Sequence, residues 1–279
     1  MPHGVRGLEC DARERLSKVT YIHGFDPVEV ARLARQARTL ARWTMQGVTY
    51  PHGGRVLEVG CGVGAELAIL AERQPDLQLI GLDLSASQLA AAHSQLAGRH
   101  IPLVQAAGDR LPIRNGSLDG VFTCWLLEHV PDPLALLVAC RRALKPGAPL
   151  FAREVDNDSF RIYPESAAVD QLMQVLNAEQ RSYGGDPVVG RRLHALLLQA
   201  GFQNVRVTLV PVHADATTPA QHRELAQYFH DLLASVVPAC LQAGLEPDVA
   251  KQALADLAAL KEHPHGSSVH VARFASAVA

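Results

Sequence analysis

The chain has 279 residues, 48% of them hydrophobic and 19% charged, with a formal net charge of −2. That length can bury a large core, as one domain or as a core with an appended cap, and so balanced a charge excludes bulk attraction to nucleic acid or an anionic membrane. The five cysteines, Cys10, Cys61, Cys124, Cys140 and Cys240, form no CxxC pair and no Cys/His cluster with zinc spacing, which predicts reduced thiols in a cytoplasmic protein and no metal site.

The first residues, "MPHGVRGLECDARERLSK", carry charges where a signal peptide needs an apolar stretch. No run of about 18 uncharged apolar residues follows, so the sequence argues against secretion and membrane spanning. Residues 1–50 are expected to form an N-terminal helical arm. Within it, Tyr21 and His23 in "TYIHGF" suit either a lid that touches substrate or an ordinary packed arm. An arm such as residues 1–25, if exchanged between copies, would make a homo-oligomer. Residues 26–46, "DPVEVARLARQARTLARWTMQ", open on an Asp-Pro helix start and repeat apolar positions every three or four residues. Arg32, Arg35, Arg38 and Arg42 form a basic stripe there, read either as a solvated face or as a contact to an anionic group.

From residue 55 short β-rich runs alternate with helical ones. "RVLEV", "LQLIGLD", "IPLVQA", "LDGVFTCW" and "APLFAREV" are the strands, and 65–74, 85–97 and 132–144 the helices between them. Such alternation predicts an α/β fold with a mostly parallel sheet and helices on both faces. Beyond 155 the rhythm changes to helices at 164–182 and 187–200, a strand "VRVTLVPV", a helical region over 218–261 and a last strand "SVHVARFASAV". The expected organisation is a core over 51–155, followed by a part over 156–279 that completes the sheet and inserts helical caps at about 160–186 and 218–262.

The stretch "RVLEVGCGVGAE" sets three glycines at alternate positions between a strand and a helix. Glycines there let the backbone approach a ligand at a helix N-terminus, which suits a nucleotide-like cofactor. Asp83 closes the next strand, where an acid is placed to accept hydrogen bonds from both ribose hydroxyls. "GCGVGA" also satisfies the dinucleotide fingerprint, so these two features alone leave an NAD(P)-dependent oxidoreductase open.

Further motifs follow in order: "LEVGCGVG" with Glu58, "GLDLS" with Asp83, "AAGDRLP" with Asp109, "FTCWLLEHVPDP" and "ALKPGAPL". With this series the chain resembles class I S-adenosylmethionine-dependent methyltransferases from about residue 54 to 155. Its flanks, "YIHGFDPVEVARLARQA" and "GRRLHALLLQAGFQNVRV", resemble bacterial small-molecule methyltransferases that tailor natural products. The resemblance implies a Rossmann-like, mostly parallel seven-stranded sheet and S-adenosylmethionine as cofactor, leaving S-adenosylhomocysteine as product. It places Gly60, Cys61 and Gly62 under the methionine and ribose, with Glu58 fixing the loop. Asp83 would hold the ribose hydroxyls, Leu84 and Arg110 would sandwich the adenine, and Asp109 would accept from its amine beside Gly108. Cys124 would lend a carbonyl near the methionine amino group. A non-catalytic cofactor-binding protein fits the same motifs, because they record binding and not turnover.

Methyl transfer from a sulfonium is an in-line displacement served mainly by positioning and water exclusion. A base or a cation-stabilising group serves particular oxygen, nitrogen or carbon acceptors. The residues expected near that chemistry are Glu154, His129 and Glu128, which follow the fifth and fourth strands at the edge where parallel sheets bind ligands. Tyr183, beside the Gly184-Gly185 turn, is expected to bind substrate with Tyr21 and His23. Helical caps suit a small-molecule acceptor, and the lack of basic regions with interleaved aromatics argues against nucleic acid.

Overall fold

The computed structural model describes Ile22 and residues 27–279. Tyr21 and His23, and with them most of the expected exchangeable arm, lie outside the described residues. Five strands, β1 (Arg55–Val59), β2 (Gln78–Asp83), β3 (Leu103–Gln105), β4 (Gly120–Cys124) and β5 (Pro149–Glu154), pair in parallel in the order β3-β2-β1-β4-β5. Three more are β6 (Arg161–Tyr163), β7 (Gln203–Asp215) and β8 (Ser267–Val278). Strand β8 runs antiparallel to β5, with Glu154 opposite Arg273, and pairs with β7 along its length and with β6 through residues 267–269. The sheet thus has the expected Rossmann-like form. Among the described residues it has eight strands where seven were expected. The addition is β6, whose three residues are too few to show a period in sequence.

Each central strand is buried on both faces, which is why it reads as a continuous apolar run. In β1, Val56 joins Met45, Tyr50, Leu67, Leu70 and Phe122 on one face. Leu57 and Val59 join Leu137, Cys140, Leu193 and Leu197 on the other, as the two-residue period of a strand requires. The covering helices are α1 (Pro27–Thr44), α2 (Ala65–Arg73), α3 (Ala86–Gln95) and α4 (Pro133–Ala143), then α5 (Ala167–Ser182), α6 (Leu193–Gln199), α7 (Pro219–Gln242) and α8 (Pro247–Leu260). Three of them start on side-chain caps. Ser85 accepts from the Gln88 amide, Asp132 from Ala135 ahead of Pro133, and Ser166 from Val169.

A second apolar core stands beyond the carboxyl ends of the parallel strands. There Phe160, Leu172, Phe229, Leu233, Leu257 and Phe274 join α1, α5, α7 and α8 to β7 and β8. The 218–261 region, read as one helical stretch, is two helices parted at Gly244, which takes φ +97°. The basic stripe of α1 is a solvated face at Arg35, Arg38 and Arg42 and turns inward at Arg32. Arg32 is buried on Glu29 and Gln36, Arg35 pairs with Asp231 and Arg42 with Glu224. The end of α1 is tied to the sheet by the buried Arg153, which donates to the carbonyls of Thr44 (2.7 Å) and Gln46 (3.0 Å).

Candidate active site

Strand order reverses between β1 and β4, and the crevice outside the carboxyl ends of strands at such a point is where open α/β sheets take ligands. Two loops wall it. After β1, the Gly60 and Cys61 amides donate to the Leu82 carbonyl (2.7 and 2.9 Å), and the Gly62 amide donates to Asp83 Oδ2 (2.9 Å). Gly60 and Gly62 hold φ of +73° and +49°. A Cβ at Gly60 would stand 2.6 Å from Leu126 Cδ1, whereas one at Gly62 would meet open space. Asp83 Oδ1 also accepts from the Ser85 amide at 2.8 Å. Its carboxylate is therefore oriented by backbone and keeps lone pairs for a ligand.

The loop sits over acid. Glu58 is buried with Oε2 unpartnered. Burial, then the charges of Glu66 and Asp83, push its carboxyl well above the usual carboxylate range. Burial holds Glu66 up to about 7 and raises Asp83, against which the Ser85 and Gly62 amides pull it down.

After β4, Trp125 takes φ +52°, a left-handed conformation that is strained for a bulky side chain, costing about 1–3 kcal/mol. Its amide donates to the Arg153 carbonyl at 2.8 Å, and its ring lies 6.3 Å from Phe274. Glu154 is fully buried beneath this loop, accepting from the Leu127 amide at 2.9 Å and the Leu126 amide at 3.3 Å. Burial, and then the charge of Glu128, push its carboxyl well up. Glu128 accepts from Gln180 Nε2 at 2.8 Å, tying the loop to α5, and stands 3.7 Å from His129 Nε2.

Between the loops and the second core lies a cavity of about 800 Å³, toward the upper end of the roughly 300–1,000 Å³ that small-molecule sites occupy. It brings together Gly60, Cys61, Gly62, Asp83, Leu84, Gly108, Asp109, Cys124, Glu128 and His129 of the sequence-expected residues. Glu58 and Glu154 lie buried behind its wall. Arg110 and Tyr183 are exposed and do not line it. Tyr21 and His23 are outside the described residues.

Sequence reasoning missed the other half of the cavity, where Phe160, Met173, Leu176, Tyr228, Phe229 and His270 stand with Leu33, Gln36 and Leu40 of α1. Periodic apolar residues on α5 and α7 read as ordinary core, and His270 falls among the remaining histidines that, lacking metal partners, read as surface groups, whereas the structure buries it. Glu66 had a signal, since it directly follows the glycine loop in "GVGAE". Among the described residues no group of three or more His, Cys, Asp or Glu is placed to hold a metal, and no helix is long and apolar enough to cross a membrane.

Residues 57–152 match the family described as "Methyltransferase domain". The chain is 34% identical over 200 residues to an uncharacterized 37.1 kDa protein in transposon TN4556 of Streptomyces fradiae, covering 67% of this chain and 55% of that one. It is 32% identical over 154 residues to a ubiquinone biosynthesis O-methyltransferase of Xanthomonas axonopodis pv. citri, covering 55% of this chain and 64% of the relative. The matches thus span between half and two-thirds of these relatives' lengths. In structure it is similar to Haemonchus contortus phosphoethanolamine N-methyltransferase 2 in complex with S-adenosyl-L-methionine, with TM-score 0.54 at 19% identity, covering 86% of this chain and 52% of that one. It is also similar to the YcgJ protein of Bacillus subtilis, with TM-score 0.52 at 14% identity, covering 86% and 97%. At these identities the structural likenesses are of fold.

Proposed function

We propose that this chain, whose residues 57–152 match a methyltransferase domain, transfers the methyl group of S-adenosylmethionine to a small-molecule acceptor held in the apolar half of the same cavity. The observation that carries this reading is the continuity of the cavity, from the glycine loop and Asp83 to Phe160, to Met173 and Leu176 of α5, and to Tyr228 and Phe229 of α7. One space admits a nucleoside cofactor at one end and a second, less polar molecule at the other.

The residues present fit the cofactor. Gly62 leaves open space where a side chain would stand, and Asp83 presents a carboxylate fixed by two amides. The carboxyl groups of Glu58, Glu66 and Asp83 make a setting suited to a cation. Bound here, S-adenosylmethionine supplies an electrophilic methyl group on a positively charged sulfur. In this reading Gly60, Cys61 and Gly62 pass under the methionine and ribose, and Glu58 supports them from behind. Asp83 accepts from the ribose hydroxyls, while Leu84, Gly108 and Asp109 meet the adenine, with Arg110 reaching in from the surface. The Cys124 carbonyl and Glu66 face the amino group. Glu128 and His129 orient the acceptor or take up its proton, and Glu154 holds their loop through the Leu126 and Leu127 amides. Helices α5, α7 and α8 act as the cap that keeps water from the transfer.

Relatives named as O-methyltransferases support oxygen as the receiving atom, and the roofed cavity supports a role in tailoring a small metabolite. Four free, buried cysteines, Cys61, Cys124, Cys140 and Cys240, support a reducing cytoplasm. The test is incubation with S-adenosylmethionine labelled in its methyl group, offered hydroxylated aromatic compounds in parallel with tRNA and bulk protein. Label in the small-molecule fraction is expected. Label passing only to the macromolecules would contradict the reading.

A further inference from the structure

The antiparallel strand β8 does more than close the sheet. Its last pair with β5 is Arg273 opposite Glu154, and its preceding residues continue past the end of β5 beside β7, where His270 faces Val212. At a rise of about 3.3 Å per residue, His270 stands roughly 10 Å beyond the level of Glu154. That lifts it out of the parallel sheet and into the wall of the apolar half of the cavity.

The ring is boxed by aromatic residues. Phe160 and Phe229 meet it edge-on, with centroids at 6.4 and 6.5 Å, and stand 4.6 Å from one another. One ring nitrogen is hydrogen-bonded to the backbone of Asp156. The other, Nε2, is buried without a partner. A buried nitrogen left bare loses the bonds it would make with water, so its place in a cavity wall points to a ligand group. Burial drives the imidazole down to about 4, which leaves it neutral at physiological pH. A neutral imidazole that donates through one nitrogen can only accept at the other.

Several of the neighbouring polar groups are occupied, the Tyr228 hydroxyl not among them. Arg32, the one cation among the described residues lining the cavity, is held by both carboxylate oxygens of Glu29 and by Gln36. Gln180 donates to Glu128, and Asn157 donates to Gln180. A phosphate or carboxylate entering here would find an aromatic surface and a bare lone pair, which repel it. A flat apolar body carrying a hydroxyl would find stacking partners and an acceptor for its proton.

We propose that the aromatic pocket formed by Phe160, Phe229, Tyr228 and Met173 is the acceptor subsite, and that His270 Nε2 selects an uncharged hydroxylated aromatic molecule by accepting a hydrogen bond from its hydroxyl. The assignment rests on the methyltransferase reading for its place in catalysis, yet its ligand chemistry is separately measurable.

The experiment uses the full chain and begins with S-adenosylhomocysteine titrations of wild type, His270→Phe and His270→Gln. Equal affinities are expected, and failure of the wild type to bind would count against the cofactor reading alone. The three proteins, loaded with that ligand, are then titrated with 2-naphthol, naphthalene and 2-naphthoate. Wild type is expected to bind 2-naphthol about tenfold more tightly than naphthalene, the equivalent of one hydrogen bond, and to bind 2-naphthoate most weakly. His270→Phe removes the preference while still binding naphthalene, and His270→Gln, which keeps an acceptor oxygen, restores part of it. Wild type that binds neither neutral ligand, binds both equally or prefers the carboxylate overturns the proposal, as does an unchanged preference in His270→Phe. Side-chain ¹⁵N spectra of the wild type give a check independent of how the variants fold. They should show Nε2 unprotonated from pH 5 to 8 and shifted by 2-naphthol, and a protonated Nε2 refutes the assignment.

Discussion

In the proposed function, replacing Asp83 with alanine removes the group on which cofactor recognition most depends. In the free protein its two oxygens accept from the Gly62 and Ser85 amides at 2.9 and 2.8 Å, so the carboxylate is held in place before any ligand arrives. Two ribose hydroxyls would add two hydrogen bonds to a charged acceptor, each worth about 1.5–3 kcal/mol. Their joint loss of roughly 3–6 kcal/mol corresponds to a factor of about 10² to 10⁴ in Kd. The only partly buried setting of Asp83 puts the expectation at the lower end, near a hundredfold. The fold should survive, because the two freed amides lie beside a solvent-accessible cavity and water can satisfy them. Calorimetric titration with S-adenosylhomocysteine, alongside thermal unfolding of the same sample, reads both quantities. Asp83→Asn, which retains one acceptor oxygen, should fall between wild type and Asp83→Ala. An Asp83→Ala protein that is folded and binds within threefold of wild type would refute the assignment of the ribose site.

Glu66 is held up to about 7 by burial, above an unfolded value of about 4.3. Its contribution to stability is thus fully present below the unfolded value and is lost as pH rises through about 7. Glu66→Gln should raise the Tm over wild type at pH 8, with the gain shrinking toward pH 5, as differential scanning calorimetry across that range will read. The loop glycines should separate stability from binding. Gly60→Ala places a Cβ 2.6 Å from Leu126 at φ +73° and lowers Tm, whereas Gly62→Ala meets open space and costs about 1–2 kcal/mol of left-handed strain. Titration with S-adenosylhomocysteine should show Gly62→Ala losing affinity out of proportion to that cost. Glu154 is fully buried and does not line the cavity, so Glu154→Gln should keep kcat close to wild type in the labelled-methyl assay. A fall of about 10² to 10⁴, the usual contribution of a general base, would make Glu154 that base instead.

The glycine-loop half of the cavity was legible in sequence because it is local. Gly60 and Gly62 follow β1, Asp83 closes β2 and Asp109 lies in the loop after β3, each beside a strand whose apolar run announces it, and β1 was read with its observed limits. The apolar half was not legible. It is assembled from Leu40, Phe160, Phe229 and His270, which meet only when α1 and α7 close over β8. The same holds for the α1 arginines, whose partners Asp231 and Glu224 lie 196 and 182 residues away. Glu154 was placed correctly at the strand end, but sequence does not reveal that its carboxyl turns under the next loop toward the Leu126 and Leu127 amides. The break between α7 and α8 did carry a signal, Gly244 followed by Pro247, the ordinary stop and start of two helices.

The most direct test of the central claim is calorimetric titration of the wild-type chain with S-adenosylhomocysteine and, in parallel, with NADH. Saturable one-to-one binding of S-adenosylhomocysteine and none of NADH is the predicted result. Binding of NADH without S-adenosylhomocysteine would return the glycine loop to a dinucleotide and contradict the account.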